Sequence, residues 1–285
     1  MPNYVRNVMK IDAGSPEEAK KIVSALSGTD PWGEKKDFTF NNFIPMPDSI
    51  RDCDDTSYNE GYLYAYFSKK DSVAMDKVIE EFKKIDYKPF FGTIEDAVKN
   101  AQELYHSFKG DDLSTAYKKG KTLVENKEKY GVMTNYYWAI ENWDTKWDAI
   151  EGSIDTDKNG LITVSFDTAW SCPKAVLAAI SKKFPDKTVD CLYADEDIGS
   201  NCGHIEAFFE DDGVVIESEE FSNTEHGLAL ALDLWQQPID DYLHYQERTF
   251  KGLCKAFGFD EKTLREELKR FDNEPSKKGK AIGKE

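Results

Sequence analysis

Between Tyr136 and Pro173 the chain carries four of its six tryptophans, in the runs Tyr136-Tyr137-Trp138, Asn142-Trp143-Asp144-Thr145-Lys146-Trp147 and Phe166-Asp167-Thr168-Ala169-Trp170-Ser171-Cys172-Pro173. Trp is the bulkiest core side chain and has one N–H to satisfy, so this density marks the centre of a core or a recognition surface. Alternation along Trp143 to Trp147 puts those two rings on one face of an extended segment, which favours a core role for Trp138, Trp143, Trp147 and Trp170. A partly exposed platform for a base or a peptide is the other reading.

Upstream, Tyr4 to Ile11 alternates as a strand. Ser15-Pro16-Glu17-Glu18 is a capping box with Pro at the first helical position. Ala19, Ile22, Val23 and Leu26 then form one apolar stripe, which Gly28 and Pro31 end. Phe38, Phe40 and Asn42 alternate in a second strand, so the first fifty residues read as β-α-β. Downstream of the tryptophans, strands at Lys146 to Ile154 and Leu161 to Phe166 flank Asp157-Lys158-Asn159-Gly160, a hairpin signal. Ser171-Cys172-Pro173 opens a helix with Val176, Leu177, Ile180 and Phe184 on its apolar face. Strands follow at Thr188 to Tyr193, Ile205 to Phe209 and Val214 to Ile216. The two halves predict one sheet with helices on one face.

Residues 46 to 61 form a Pro- and Asp-rich loop, long enough to be functional or mobile. Stripes at Met75/Val78/Ile79/Phe82, Ile94/Ala97/Val98/Ala101/Leu104/Phe108 and Leu113/Tyr117/Leu123/Val124 predict three helices over 70 to 130, an insertion between core strands. Leu228, Ala231, Leu232 and Trp235 form a helix, and Ile239 to Phe271 adds two more, punctuated by Gly252 and Gly258. The expected organisation is a first core half at 1–45, loop and insertion at 46–135, a second core half with an acidic hairpin at 136–236, carboxy-terminal helices at 237–272 and a disordered tail at 273–285. The fold class is α+β, a ferredoxin-like β-α-β core with a helical insertion and carboxy-terminal helices.

The net charge of −17 is unevenly placed. From Asp186 to Glu225 thirteen acids face one base, Lys187, a local charge of −12. That field repels nucleic-acid phosphates and attracts basic surfaces. A solvated, solubilising face is the favoured reading of such a stretch, and a surface that docks a basic partner is the other. The candidate partner-binding residues are Asp195, Glu196, Asp197, Glu210, Asp211, Asp212, Glu217, Glu219 and Glu220. No nucleic acid is expected to bind directly.

Enzymatic chemistry finds little support. Asp155-Thr156-Asp157-Lys158-Asn159-Gly160-Leu161-Ile162 opens like a calcium loop, but Phe166 stands where the bidentate Glu belongs, so a plain hairpin is expected. Cys202-Gly203-His204, with Cys191 nearby, offers too few ligands for tetrahedral zinc. The five cysteines lack C-x-x-C spacing, which predicts reduced thiols. The four His are scattered singly without a nucleophile-elbow, zinc-protease or phosphate-loop motif. Acid-base or magnesium chemistry on Glu217, Glu219, Glu220 and Asp195 to Asp197 is the minor alternative. No catalytic residue, cofactor or metal is therefore expected. The first thirteen residues hold no signal-peptide core, and no segment approaches the roughly 20 apolar residues of a membrane span, so a cytoplasmic protein without a membrane partner is expected.

N-W-x-T-K-W at Asn142 to Trp147, F-x-T-A-W-x-x-P at Phe166 to Pro173 and F-x-x-x-x-F-I-P-M-P at Phe38 to Pro47 resemble the YubB-type ferredoxin-like family of phages and conjugative plasmids, a domain of unknown function. The chain departs from that pattern at Asp144, where Gly is usual, and at Cys172. Asp144 would strain a turn that needs positive φ. The resemblance implies a mobile-element protein of non-enzymatic type. The expected partner is a host protein with a basic surface, a defence complex being one candidate, with homo-oligomerisation left open. The alternatives are a nucleic-acid accessory factor stacking bases on sheet aromatics and an enzyme of unrecognised class using acidic residues.

Overall fold

Ser15 caps its helix as its spacing predicts. In the computed structural model, which describes residues 3–54, 80, 83–84, 92–107, 111–211 and 213–273, Ser15 Oγ accepts the Glu18 N–H at 3.2 Å and helix α1 runs from Pro16 to Leu26. Ala19, Ile22 and Leu26 face the core. Strand β1 (Tyr4–Asp12) precedes it and becomes a central strand of the sheet. With β4 (Ile150–Thr156), β5 (Leu161–Ala169), β6 (Val189–Asp195), β7 (Cys202–Glu210) and β8 (Gly213–Glu220), the order is β4-β5-β1-β6-β7-β8, antiparallel throughout. The amino-terminal and carboxy-terminal halves thus share one sheet, as predicted.

The register assigns the faces. Val5, Met9 and Ile11 of β1 align with Asp195, Cys191 and Val189 of β6. Helix α6 (Lys174–Lys183) lies on that face, where Cys172, just before it, brings its Sγ to 4.0 Å from that of Cys191. Val8, Ala194 and Cys202 point to the other face and pack against Leu230, Ala231 and Leu234 of α7 (Glu225–Leu234). Helices on one face only is therefore corrected to helices on both. The reason is visible in β1, whose Val5, Val8 and Met9 are all buried, so both faces need cover.

Phe38 to Asn42 is the clearest departure from the sequence reading. Short strands β2 (Gly28–Thr29) and β3 (Lys35–Lys36) pair with each other, and Phe40–Asn42 is a turn of 3₁₀ helix. Phe38 and Phe40 alternate inward, yet their backbone joins no ladder. The Asp148 carboxylate accepts the Phe40 N–H at 2.7 Å and the Thr39 hydroxyl at 2.5 Å, and Thr39 Oγ1 accepts the Asn41 N–H. Burial pushes the Asp148 carboxyl above its usual range, against the pull of those hydrogen bonds.

The tryptophans divide. Trp143 is fully buried, donates Nε1–H to the Ile44 carbonyl at 2.9 Å and meets Phe40 edge-on. Trp138 is buried, Trp147 half-buried and Trp170 exposed. The extended segment that would align Trp143 with Trp147 does not form, because Trp143 closes helix α5 (Asn135–Trp143) and Asp144 turns the chain at φ 61°. Asp144 meets that strain with a function. Its Oδ2 accepts the Ala175 N–H at 2.7 Å, capping α6, whose own cap position is Pro173.

The chain clusters into two compact units, 1–45 with 141–285, and 46–140. Within 46–140, α2 (Asp48–Arg51) replaces part of the predicted loop. Helix α3 (Ile94–Ser107) starts at a Thr93/Asp96 capping box, and α4 (Asp111–Tyr130) follows. Buried Asn126 donates to the Ser49 and Met133 carbonyls. The predicted helix at Met75 to Phe82, apart from residue 80, most of the remaining loop and the tail from 274 lie outside the described residues. At the carboxy terminus three helices stand where two were predicted, α8 (Ile239–Tyr245), α9 (Phe250–Phe257) and α10 (Glu261–Asn273). Gly252 sits in the first turn of α9, where Thr249 accepts its N–H, whereas Gly258, at φ 73°, ends that helix.

Candidate functional site

The acidic stretch is continuous in sequence and divided in space. Gly203 pairs with Glu220 and Glu206 with Glu217, while Glu210 pairs with Gly213 across the hairpin. Glu219 and Glu220 therefore lie at the end of the sheet where the β6–β7 connection, residues 196–201, begins and ends. Glu210 and Asp211 lie at the opposite end, and Asp212 falls outside the described residues. At ~3.3 Å per residue, the seven steps from Gly213 to Glu220 separate the two groups by about 23 Å. Glu217 stands between them. The sequence brings nine acids forward as one surface, and the register makes them two.

At the connection end the carboxylates differ in use. Asp195 is only 5 % exposed, so it is corrected from a partner-binding residue to an internal one. Its oxygens accept the Asn3 side-chain amide at 3.1 Å, the Asp197 N–H at 2.9 Å and the Asn201 side-chain amide at 3.0 Å. Glu196 continues the β1–β6 pairing: its N–H donates to the Tyr4 carbonyl and its Oε1 accepts the Tyr4 N–H. Asp197 accepts the Ser200 hydroxyl. Glu196 and Asp197 remain exposed, as do Glu219 and Glu220 on β8, an edge strand. Charges on such an edge also block pairing with another strand.

Across the α7 face, His204 Nε2 lies 2.7 Å from Asp190 Oδ2, with Glu219 directly opposite His204 and Glu206 opposite Glu217. Cys202 shares this face, whereas Cys191 points to the α6 face, so the Cys/His group noted in the sequence never converges. Among the described residues no three His, Cys, Asp or Glu side chains are placed to hold a metal ion. Burial raises Cys202 to about 11. The neighbouring Cys172 thiol and burial push Cys191 well up, which keeps both thiols protonated and poorly nucleophilic. In the 155–162 segment, Asp157 Oδ1 accepts the Asn159 and Leu161 N–H groups, each at 2.9 Å, so this carboxylate closes the hairpin turn.

Trp170 departs from the core role favoured for it and takes the exposed placement that was the other reading. It follows β5 at φ 72°, donates its N–H to the Asn3 carbonyl, and receives the Asn201 amide on its own carbonyl at 2.8 Å. Asn201 also holds Asp195, so the Trp and the acidic connection are one hydrogen-bonded unit. Lys146 Nζ lies 4.7 Å from the Trp147 ring centroid and 5.4 Å from that of Trp170. The signal for it was the F-x-T-A-W motif, in which this Trp follows a strand at the point where the chain must turn.

Residues 142–233 match a family model described as a ferredoxin-like domain in Api92-like protein. That span holds both tryptophan motifs and five of the six sheet strands, and this part of the chain is a ferredoxin-like domain with an antiparallel sheet plus helices. Among solved structures, the crystal structure of a protein api92 from Yersinia pseudotuberculosis is similar over 77 % of this chain and 99 % of that one, at 9 % identity and a TM-score of 0.35. No curated protein matches. No helix among the described residues is long and apolar enough to cross a membrane.

Proposed function

We propose that this chain is a non-enzymatic binding protein that docks a basic protein surface at the connection end of its sheet. The observation that carries this reading is the convergence there of exposed Glu196 and Asp197 with exposed Glu219 and Glu220, from segments more than twenty residues apart. Fixed like charges around one rim raise the on-rate for a basic partner and repel phosphates. The resemblance to proteins of phages and conjugative plasmids makes a host protein the favoured partner, a defence complex in particular, met in the host cytoplasm and inhibited by being covered.

Affinity capture from bacterial lysate, with wild type and a Glu217→Lys, Glu219→Lys, Glu220→Lys variant run in parallel, tests it. A partner retained by the wild type, released by salt and lost by the variant is expected. Gel shifts at low salt with single- and double-stranded DNA and with RNA are the counter-test. Tight wild-type binding to any of them would replace this reading with that of a nucleic-acid accessory factor.

A further inference from the structure

We infer that Trp170 is the aromatic anchor of this docking surface and that it receives an arginine side chain of the partner; the inference rests on the reading above and names the chemistry of its contact. Five large apolar side chains are exposed among the described residues, Trp32, Trp170, Ile216, Tyr245 and Phe257, and of these only Trp170 has positive φ. The other non-glycine residues with positive φ are Asp, Asn, Glu or Gln. A bulky L-residue is strained at φ 72°, and Gly would sit there freely. The residue is 42 % exposed, and its backbone is held in that conformation by the Asn3 carbonyl and the Asn201 amide. Strain kept at an exposed aromatic is the kind that binding sites retain.

The surroundings define the occupant. Asn201, itself at φ 40°, ties the Trp170 carbonyl to Asp195, so the backbone that carries the ring is joined to the network that presents Glu196 and Asp197. Lys146 already places an ammonium over the ring, so its electron-rich surface is used toward cations. A planar guanidinium both stacks on indole and bonds carboxylates in a fork, which an ammonium cannot do. Glu196 and Asp197 keep acceptor capacity beyond their bonds to the Tyr4 N–H and the Ser200 hydroxyl. A nucleobase could also stack on Trp170, but its phosphates would meet the acidic rim.

The test is titration of the full chain into dye-labelled octa-arginine, followed by fluorescence anisotropy at low salt. The proteins compared are wild type, Trp170→Ala, Trp170→Gly and Glu219→Lys/Glu220→Lys. Both Trp170 variants are expected to bind about three- to tenfold more weakly, with octa-lysine weaker than octa-arginine for wild type and less affected by the substitutions. Trp170→Gly is expected to melt no lower than Trp170→Ala, since Gly relieves the positive φ, so its loss of binding cannot be ascribed to unfolding. Unchanged octa-arginine binding by Trp170→Gly, with loss in the charge-reversed variant, overturns the anchor and leaves the docking reading standing. Failure of wild type to bind octa-arginine overturns both. Binding of a 20-mer oligo-dT by wild type that Trp170→Gly loses reassigns the ring to a base.

Discussion

Both ends of the sheet are acidic, and they are built in opposite ways. At the connection end the carboxylates organise backbone: Asp195 collects three donors, Glu196 extends the β1–β6 pairing, and Asn201 links the group to Trp170. At the other end, the tip of the β7–β8 hairpin turns without help from its acids. Glu210 pairs with Gly213, Asp211 takes a positive φ of 52°, and both acidic side chains point into solvent. The difference teaches that acidic density in a sequence says nothing about rigidity. A surface that must hold a partner's geometry needs side chains with structural duties behind those that face outward, and of these two acidic groups only the one at the connection end has them among the described residues.

The comparison breaks most directly on Asp195. Asp195→Ala leaves three donors without their acceptor and should cost about 2–3 kcal/mol of unfolding free energy, whereas Asp211→Ala at the other end should stay within about 0.5 kcal/mol. Urea denaturation at pH 7 reads both, and equal costs would erase the distinction.

High pH sharpens it next. At the connection end Cys202 is raised by burial to about 11 and Tyr193, again by burial first and by neighbouring thiols and Glu220 after it, to about 12. These groups ionise more readily in the unfolded chain, so the stability they contribute is intact below the ordinary thiol range near pH 9 and is lost as pH rises through the folded values. The urea midpoint should fall between about pH 9 and 11, and Cys202→Ala should make that fall shallower. A midpoint flat to pH 11 would show the end to be solvated.

Charge reversal separates the ends by kinetics rather than stability. Glu219→Lys/Glu220→Lys should slow association with a basic partner severalfold at low salt, and Glu210→Lys/Asp211→Lys should slow it less, with both folds intact to within about 0.5 kcal/mol. Stopped-flow rates across a salt series measure this, and equal slowing would mean that net charge alone matters.

The smallest effect concerns the hairpin at Asp157. Calcium at millimolar concentration should leave the melting temperature unchanged, because Asp157 is already occupied by two backbone N–H groups and Phe166 supplies no ligand. A calcium-dependent rise would make a cation site of that turn.

Much of this architecture is legible in the residues. The Ser15 cap, the Asp157 to Gly160 turn and the alternation in β1 act over two to eight residues, the range that local chemistry controls. The errors have a common cause. Phe38, Phe40 and Trp143, Trp147 alternate as strands do, but alternation reports which side chains turn inward, not what the backbone bonds to. Asp148 claims the Phe40 N–H from more than a hundred residues away, and Asp144 turns the chain after Trp143. In the candidate site, the acids were found and their duties were not: Asp195 and Glu196 adjoin in sequence, yet one is buried and one exposed because only the first faces Asn3, Asp197 and Asn201 together.

By itself the sequence determined the capped helices and most of the sheet strands, the acidic character of residues 186 to 225 and the aromatic investment in 136 to 173, since propensity, charge and volume belong to residues wherever they are placed. Only the tertiary structure decided that the acids form two groups at opposite ends of one sheet, that helices cover both faces, and that Trp170 stands exposed beside the β6–β7 connection. Those outcomes follow from strand register. Antiparallel pairing fixes which residues meet across chains of contact far longer than any local signal, and one step of slip would send every side chain to the other face.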